Sequence, residues 1–204
     1  YTKSTTEKDD ASGYLMGGDA SEFDGSFEMQ NTAGYFQYEQ ELMPRFSLIL
    51  NSRIESSAID YIGASNNYGV DSTTITFSTK DNLAGFKTAV KYSLSPTAMV
   101  YSSVSRGYKS GGINQNPYLG SSNRSYEPEF NLNYEAGFKS ITAASQIQLT
   151  FFYMSRQNQQ VNISSQQEEG NPNSFYFYTA NAAAGYNYGT EFDQSAKIGN
   201  KLSA

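Results

Sequence analysis

Long stretches of this chain alternate between apolar and polar side chains with a period of two residues. The clearest stretch sets one apolar group against one polar group: Phe46, Leu48, Leu50 and Ile54 against Arg45, Ser47, Asn51, Arg53 and Glu55. Successive side chains of a strand point to opposite faces, so this pattern predicts a strand with one apolar and one polar face. Similar stretches recur along the chain, and we predict about seven long strands between residues 31 and 204.

The connections between these stretches alternate strictly between short and long. Short turns are predicted at Met43-Pro44, at Ser95-Pro96 and at residues 142–144 and 198–201, and long polar loops at residues 57–81, 107–130 and 164–178. Residues 1–30, rich in Gly, Asp and Ser, are predicted to form a further surface loop. Short turns at one end and long loops at the other are typical of outer-membrane barrels. We therefore predict an all-β fold, an antiparallel up-and-down meander that forms one segment of a transmembrane β-barrel.

Composition excludes several functions within this chain. It has 14 Lys and Arg against 20 Asp and Glu, a formal net charge of −6, which disfavours nucleic-acid binding. The absence of Cys and His removes thiolate and imidazole metal ligands and the usual general base. We predict no catalytic, cofactor or metal site here, and no enzyme. The aromatic content of 15%, with 17 Tyr and 13 Phe, instead suits a thin wall with aromatic belts at the membrane surfaces.

One segment, Tyr101 to Asn114 (YSSVSRGYKSGGIN), begins as a strand and ends in a Gly-rich loop. Four further motifs follow it in order: Tyr126-Glu127-Pro128-Glu129; Asn133 to Lys139 (NYEAGFK); Phe151-Phe152-Tyr153 with Gln159-Gln160-Val161; and Asn181 with Tyr188 to Phe192 (YGTEF). This series resembles the β-barrel domain of TonB-dependent outer-membrane receptors.

The resemblance implies a 22-stranded barrel, of which these residues would supply about a third. The N-terminal plug, the segment that contacts TonB and the last barrel strand would then lie elsewhere in a longer protein. It further implies the outer membrane of a Gram-negative bacterium, uptake of a scarce nutrient such as a ferric siderophore, and three partners: outer-membrane lipid or lipopolysaccharide, the plug with TonB behind it, and a small-molecule ligand.

The strand faces give candidate site residues. Ten apolar or aromatic residues, each on the apolar face of its own strand, are expected to face lipid: Phe86, Val90, Leu132, Tyr134, Phe138, Leu149, Phe151, Tyr153, Tyr188 and Phe192. Five residues near predicted strand ends and loops are candidate ligand contacts: Arg106, Tyr108, Lys109, Tyr176 and Tyr178. Arg106 and Lys109 would suit an anionic ligand, but also a rim position beside lipid headgroups. The run 175–178 would suit either a ligand-stacking loop or the aromatic belt, and the mixed parity around Arg106 leaves its direction open.

Two other functions fit the pattern of strands. A passive porin-type channel would share the long strands and the alternating loops, although the motifs resemble the receptors. A secreted β-rich adhesin or glycan-binding module would also use Tyr, Asn and Gly, and it would be a water-soluble monomer.

Overall fold

A computed structural model of the chain describes residues 7–9, 21–67, 70–116, 119–166, 169–170, 175–198 and 202–203. Strands dominate these residues, and the single short helical element among them is a 3₁₀ turn at Ser121–Asn123. No helix in the described part of the chain is long and apolar enough to cross a membrane.

The strands follow one another in an antiparallel meander. Their bounds are β1 (Glu7–Asp9), β2 (Ser21–Met43), β3 (Phe46–Asn67), β4 (Val70–Ser95), β5 (Ala98–Lys109), β6 (Gly112–Ile113), β7 (Ser125–Tyr126), β8 (Glu129–Ile141), β9 (Ser145–Gln157), β10 (Gln160–Gln166), β11 (Phe175–Asn181), β12 (Ala184–Ile198) and β13 (Leu202–Ser203). The main sheet has the order β1-β2-β3-β4-β5-β8-β9-β12-β13, while β6-β7 and β10-β11 form two small separate sheets. The seven predicted long strands are thus confirmed as β2, β3, β4, β5, β8, β9 and β12, and the sheet is open, with β1 and β13 at its edges.

Three of the short turns lie where the sequence predicts them. Between β2 and β3, Arg45 has a positive φ of 71°, and its backbone N–H donates to the Glu41 carboxylate at 2.9 Å. Between β8 and β9, the Thr142 hydroxyl accepts the backbone N–H of Ser145 at 2.9 Å. Between β4 and β5, Pro96 and Thr97 form the turn. Proline has no backbone N–H, but in the turn this removes no hydrogen bond between the strands. The fourth predicted turn includes residues 199–201, outside the described part.

The prediction of a long loop at residues 57–81 is wrong. β3 and β4 stay paired from Phe46 opposite Tyr92 to Asn67 opposite Val70, so this region is the outer half of one very long hairpin. We call residues 57–81 the projecting hairpin. Its polar composition suggested a loop, but the alternation continues on one face through Ile59, Tyr61 and Ile75, and this apolar face explains why the pairing persists.

The other predicted loops are also more regular than expected. β2 begins at Ser21, so residues 21–30 are strand and not part of a surface loop, while 1–6 and 10–20 lie outside the described residues. Within residues 164–178, the described residues 164–166 and 175–178 lie in the paired strands of the β10–β11 hairpin, in which Gln166 pairs with Phe175. We count the projecting hairpin as the first long connection between strands and call residues 110–128 the second connection. The second connection contains β6, the 3₁₀ turn and β7. Residues 158–183, with the β10–β11 hairpin, are the third connection.

The main sheet is a single layer, and its small core lies where the second connection folds back onto it. Ile113 from β6 packs with Ile59, Tyr61 and Ile75 on one face of the projecting hairpin, and Phe27 and Phe77 border the cluster. The backbone N–H of Gly111 donates to the Asp81 carboxylate at 3.2 Å. The second connection therefore lies against the projecting hairpin and not free in solvent.

Candidate functional site

Strand register divides the main sheet into two chemically different faces. One row of direct cross-strand partners shows the apolar face: Tyr92, Val100, Phe138, Leu149 and Phe192. All ten predicted lipid-facing residues occupy this face, which we call the outward face. Their contact with lipid stays a prediction, but the register shows that they form one continuous band.

Tyrosines line up across the outward face. Tyr134, Tyr153 and Tyr188 are direct partners on β8, β9 and β12. The ring of Tyr186 stacks with those of Tyr153 and Tyr188, at centroid distances of 6.3 and 6.2 Å. Rows of such rings are typical of the belts that barrel proteins place where the bilayer meets water.

The opposite face, here called the inward face, is polar and hydrogen-bonded. Lys91 forms an ion pair with Glu39 at 2.7 Å, and the Tyr101 hydroxyl lies 3.0 Å from that of Thr150. The Tyr101 ring covers Gly137 on the neighbouring strand. Register also places on this face the charged residues that parity assigned to it: Lys87, Lys91, Glu135, Lys139, Glu191 and Asp193.

A cavity of about 690 Å³ opens where β5 separates from β4. Its border includes Gly85 and Gly107 and the side chains of Lys87, Tyr108 and Lys109. The ladder between β4 and β5 ends at Phe86 opposite Arg106, and the chain beyond continues into the second connection. The cavity thus lies at the end of the main sheet from which the projecting hairpin extends.

Three side chains form a closed triangle at the cavity wall. The Tyr108 hydroxyl donates to Glu55 Oε2 at 2.9 Å and accepts from Arg53 Nε at 3.0 Å. Arg53 also donates through Nη2 to Glu55 Oε2 at 2.7 Å. A Cβ on Gly85 would lie 3.2 Å from the Tyr108 ring, so glycine leaves the space in which the ring sits. The triangle fixes the Tyr108 ring at the cavity border.

The structure resolves the position of Arg106. Its ladder partners are Phe86 and Leu132, both on the outward face. Its guanidinium donates to the Ala84 carbonyl and lies 4.3 Å from the centroid of the Phe130 ring, a cation–π distance. Arg106 borders the cavity but is held by these two contacts where β5 leaves β4.

The five predicted ligand contacts do not come together. Arg106, Tyr108 and Lys109 border the cavity, whereas Tyr176 and Tyr178 stand on β11, opposite Ser165 and Ile163. Both tyrosines are half-buried there, and Phe177 between them is 74% exposed. Of the four aromatic rings at residues 175–178, two therefore lie on one side of the hairpin and two on the other, because successive side chains of a strand alternate between its faces.

The cavity has an unbalanced set of charges. Arg53, Lys87, Arg106 and Lys109 border it against one carboxylate, that of Glu55. Cations in a concave site with low-dielectric walls concentrate anions. No group of three or more acidic side chains that would hold a metal ion occurs among the described residues. In the surface segments, burial raises the pKa of Tyr61 and of Tyr126, which favours the neutral phenols.

Comparison with known proteins identifies the family. A family model described as "TonB dependent receptor-like, beta-barrel" matches residues 1–203. The chain belongs to the TonB-dependent receptor family. The resemblance seen in the sequence motifs is thereby confirmed, and so is the prediction of a partial barrel meander. Among curated proteins no match was found.

Three solved structures of transport proteins share the fold at low sequence identity. The ferric yersiniabactin uptake receptor FyuA from Yersinia pestis matches with a TM-score of 0.75 and 20% identity, over 91% of this chain and 27% of that one. The ferric-catecholate import receptor Fiu from K12 E. coli has a TM-score of 0.63 and 16% identity, over 92% and 28%. The copper transporter OprC has a TM-score of 0.62 and 10% identity, over 97% and 31%. This TonB-dependent receptor chain thus spans about a third or less of each of these proteins.

Sequence reasoning missed Arg53 and Glu55 as cavity residues of this receptor. Both were assigned to the polar face of β3, but nothing linked them to Tyr108, more than fifty residues further along the chain. The signal that finds them is register, because Arg53 pairs with Gly85 and Tyr108 follows the last residues of the β4–β5 ladder.

Proposed function

We propose that this chain forms part of the barrel wall of an outer-membrane receptor that imports a small anionic molecule, such as a ferric siderophore. The observation that carries the proposal is the cationic cavity at the end of the β4–β5 ladder, where Arg53, Lys87, Lys109 and, from the outward side, Arg106 border one carboxylate. The membership of the chain in a family of transport receptors supports uptake over enzymatic function.

Tyr108 and Lys109 are the proposed ligand contacts, together with Lys87. The triangle with Arg53 and Glu55 orients the Tyr108 ring before a ligand arrives, which reduces the entropy lost on binding. Lys87 and Lys109 supply positive charge, while that of Arg53 is largely compensated by Glu55. Tyr176 and Tyr178 stay predicted contacts for a ligand that reaches the third connection.

The length and the backbone pairing of the strands support a location in the outer membrane. In hydrocarbon every backbone N–H and C=O must be paired, so a sheet spans a membrane as part of a closed barrel. β8, β9 and β12 have 13, 13 and 15 residues, enough for the roughly 9–11 that a tilted spanning strand needs. We propose that the outward face contacts outer-membrane lipid and lipopolysaccharide, and that the inward face contacts a plug domain through which TonB acts.

The named similar structures agree with this proposal without fixing the substrate. Two of them are described as receptors for ferric compounds and one as a copper transporter. One fold thus serves different cargoes, so the substrate must be argued from the site and not from the barrel.

Deleting the full-length gene in its host is expected to abolish uptake of one ferric chelate from a panel labelled with radioactive iron. Uptake should return with the gene on a plasmid and should stop when the proton-motive force is collapsed. Unchanged uptake of every anionic chelate in the deletion strain would contradict the proposal. Uptake that survives loss of the proton-motive force would point to a passive channel.

Replacing Lys109 with Gln in the full-length receptor is expected to weaken binding of that chelate about tenfold, since hydrogen bonds to charged groups contribute roughly 1.5–3 kcal/mol. Lys87→Gln should act in the same direction. The matched control is Lys80→Gln, because Lys80 is an exposed cation on the same strand as Lys87 but on the opposite face, outside the cavity. Equal loss of affinity in all three variants, measured by equilibrium binding to whole cells, would argue for a general surface charge effect.

A further inference from the structure

The second and third connections are joined through the side chain of Asn114. Its amide Nδ2 donates to the Thr179 carbonyl at 2.7 Å, and its Oδ1 accepts the Thr179 backbone N–H at 2.8 Å. Nδ2 also donates to the Asn123 carbonyl at 2.8 Å, within the second connection. A carboxamide has the same donor and acceptor as a peptide group, so Asn114 pairs with β11 as a neighbouring strand would.

Asn181 makes the same reciprocal contact in the opposite direction. From the end of β11, its Nδ2 donates to the Glu127 carbonyl at 2.9 Å, and its Oδ1 accepts the Glu127 backbone N–H at 2.7 Å. Nδ2 also donates to the Asn158 carbonyl at 2.8 Å. One carboxamide from each connection thus holds the backbone of the other.

Gln160 adds a third bridge, and this one reaches the cavity. Its Nε2 donates to the carbonyls of Ser110, at 2.8 Å, and Glu127, at 3.1 Å. Ser110 borders the cationic cavity directly after Lys109. The position of the cavity border is therefore tied by hydrogen bonds to the hairpin of the third connection. We call Asn114, Gln160 and Asn181 the amide bridges.

The second connection also contacts the projecting hairpin. Ile113 is 8% exposed in the cluster with Ile59, Tyr61 and Ile75, and Gly111 is bonded to Asp81. It thus lies between the projecting hairpin and the third connection. The six hydrogen bonds that these three amides make between the two connections involve no ionised group, so changes of pH or salt do not remove them.

We propose that the amide bridges lock the second and third connections into one surface unit that fixes the cavity border at Ser110, next to Lys109. Asn114, Gln160 and Asn181 are positioning residues in this arrangement, since they act on the cavity through the backbone of the second connection. Loosening the bridges frees this border to move and exposes the cavity further. The role of the fixed border in ligand binding rests on the proposed function, whereas the locking itself does not.

The first test measures the unit directly by electron spin resonance on the full-length receptor. This chain contains no Cys, and any Cys elsewhere in the full-length receptor is replaced by Ser, so spin labels at Ser122→Cys and Phe177→Cys, both exposed positions, report the distance between the two connections. We expect a narrow distance distribution, which Asn114→Ala with Asn181→Ala broadens. A broad distribution without these substitutions, or a narrow one with them, would overturn the lock.

The second test measures access to the cavity and does not depend on the natural ligand. Asn51 borders the cavity, and Asn51→Cys in intact cells can be reacted with a membrane-impermeant, negatively charged methanethiosulfonate. We expect Asn114→Asp with Asn181→Asp to raise the reaction rate about tenfold, because a carboxylate cannot donate to the Thr179 and Glu127 carbonyls. An unchanged rate would overturn the role of the unit in fixing the cavity border.

Asn162→Asp is the control for added negative charge in the second test. Asn162 lies on β10 of the same hairpin, and its Oδ1 accepts the Thr179 hydroxyl at 3.4 Å, which a carboxylate also does. It introduces one negative charge, half of what the double variant adds, without removing a bridge, and we expect the wild-type rate. A change equal to that of the bridge variants would reduce the effect to added negative charge and refute the lock. The tests stand whether or not the receptor imports an anionic chelate, so their failure is distinguishable from failure of the proposed function.

Discussion

Replacing Leu149 with Arg is expected to leave little of the full-length receptor correctly assembled in the outer membrane. Leu149 lies on β9 between Phe138 and Phe192, within the apolar band of the outward face. An arginine on the lipid-facing side of a barrel strand costs about 2–4 kcal/mol at the bilayer midplane. The measurement is the fraction of receptor that shows heat-modifiable migration on gels of isolated outer membranes.

The adjacent residue supplies the control. Gln148 is on the same strand but on the inward face, where its partners are Lys139 and Asp193. A cation there meets a polar wall and a carboxylate, so Gln148→Arg should assemble at near wild-type levels. If both variants assembled equally well, the outward face would not be a lipid-contacting surface, and the assignment of the two faces would fail.

Replacing Gly137 with Ala is expected to destabilise the assembled barrel by about 1–3 kcal/mol, the usual cost of overpacking a close contact. A Cβ at this position would lie 2.7 Å from both the Leu149 carbonyl oxygen and the Tyr101 ring. The backbone oxygen cannot move without disturbing the β8–β9 ladder, and the ring is held by the contact of its hydroxyl with Thr150. The change should appear as a lower urea midpoint for unfolding of the full-length receptor in detergent.

Gly34→Ala tests whether the effect comes from the contact and not from losing a glycine. Gly34 is also in a strand, but a Cβ there would meet nothing within 4 Å. Alanine restricts the unfolded chain, so the variant should be as stable as the wild type or more so, by up to about 1 kcal/mol. A midpoint for Gly137→Ala equal to that of Gly34→Ala would show that the ring over Gly137 does not restrict this position.

The alternation of side chains predicts most of the sheet because it is a local property. Period-two patterning and the positions of Pro44 and Pro96 predict the seven strands, the two faces of the sheet and three of the short turns. The projecting hairpin was missed because its outward face carries polar residues such as Asp60 and Lys80, and a strand with a polar face looks like a loop in composition. Its inward face packs against Ile113, which only the folded chain brings there.

The candidate site was predictable only in part, for a related reason. Tyr108 and Lys109 lie in a motif that resembles the family, and the structure puts both at the cavity. Arg53 and Glu55 enter it through register, and the amide bridges enter through the folding of two connections onto each other. Contacts between residues fifty or more positions apart leave no periodic trace in one sequence, so no local pattern reveals them.

The length of the projecting hairpin has a consequence for how a ligand first meets the receptor. β3 and β4 have 22 and 26 residues, well beyond the roughly 9–11 that cross a bilayer, and the excess is paired backbone with a buried cluster beneath it. Its conformational entropy is lost during folding and need not be lost again when a molecule docks. In the receptor that we propose, a ligand that docks on the projecting hairpin would meet preformed strands, and association there would be fast because paired backbone does not have to reorganise first.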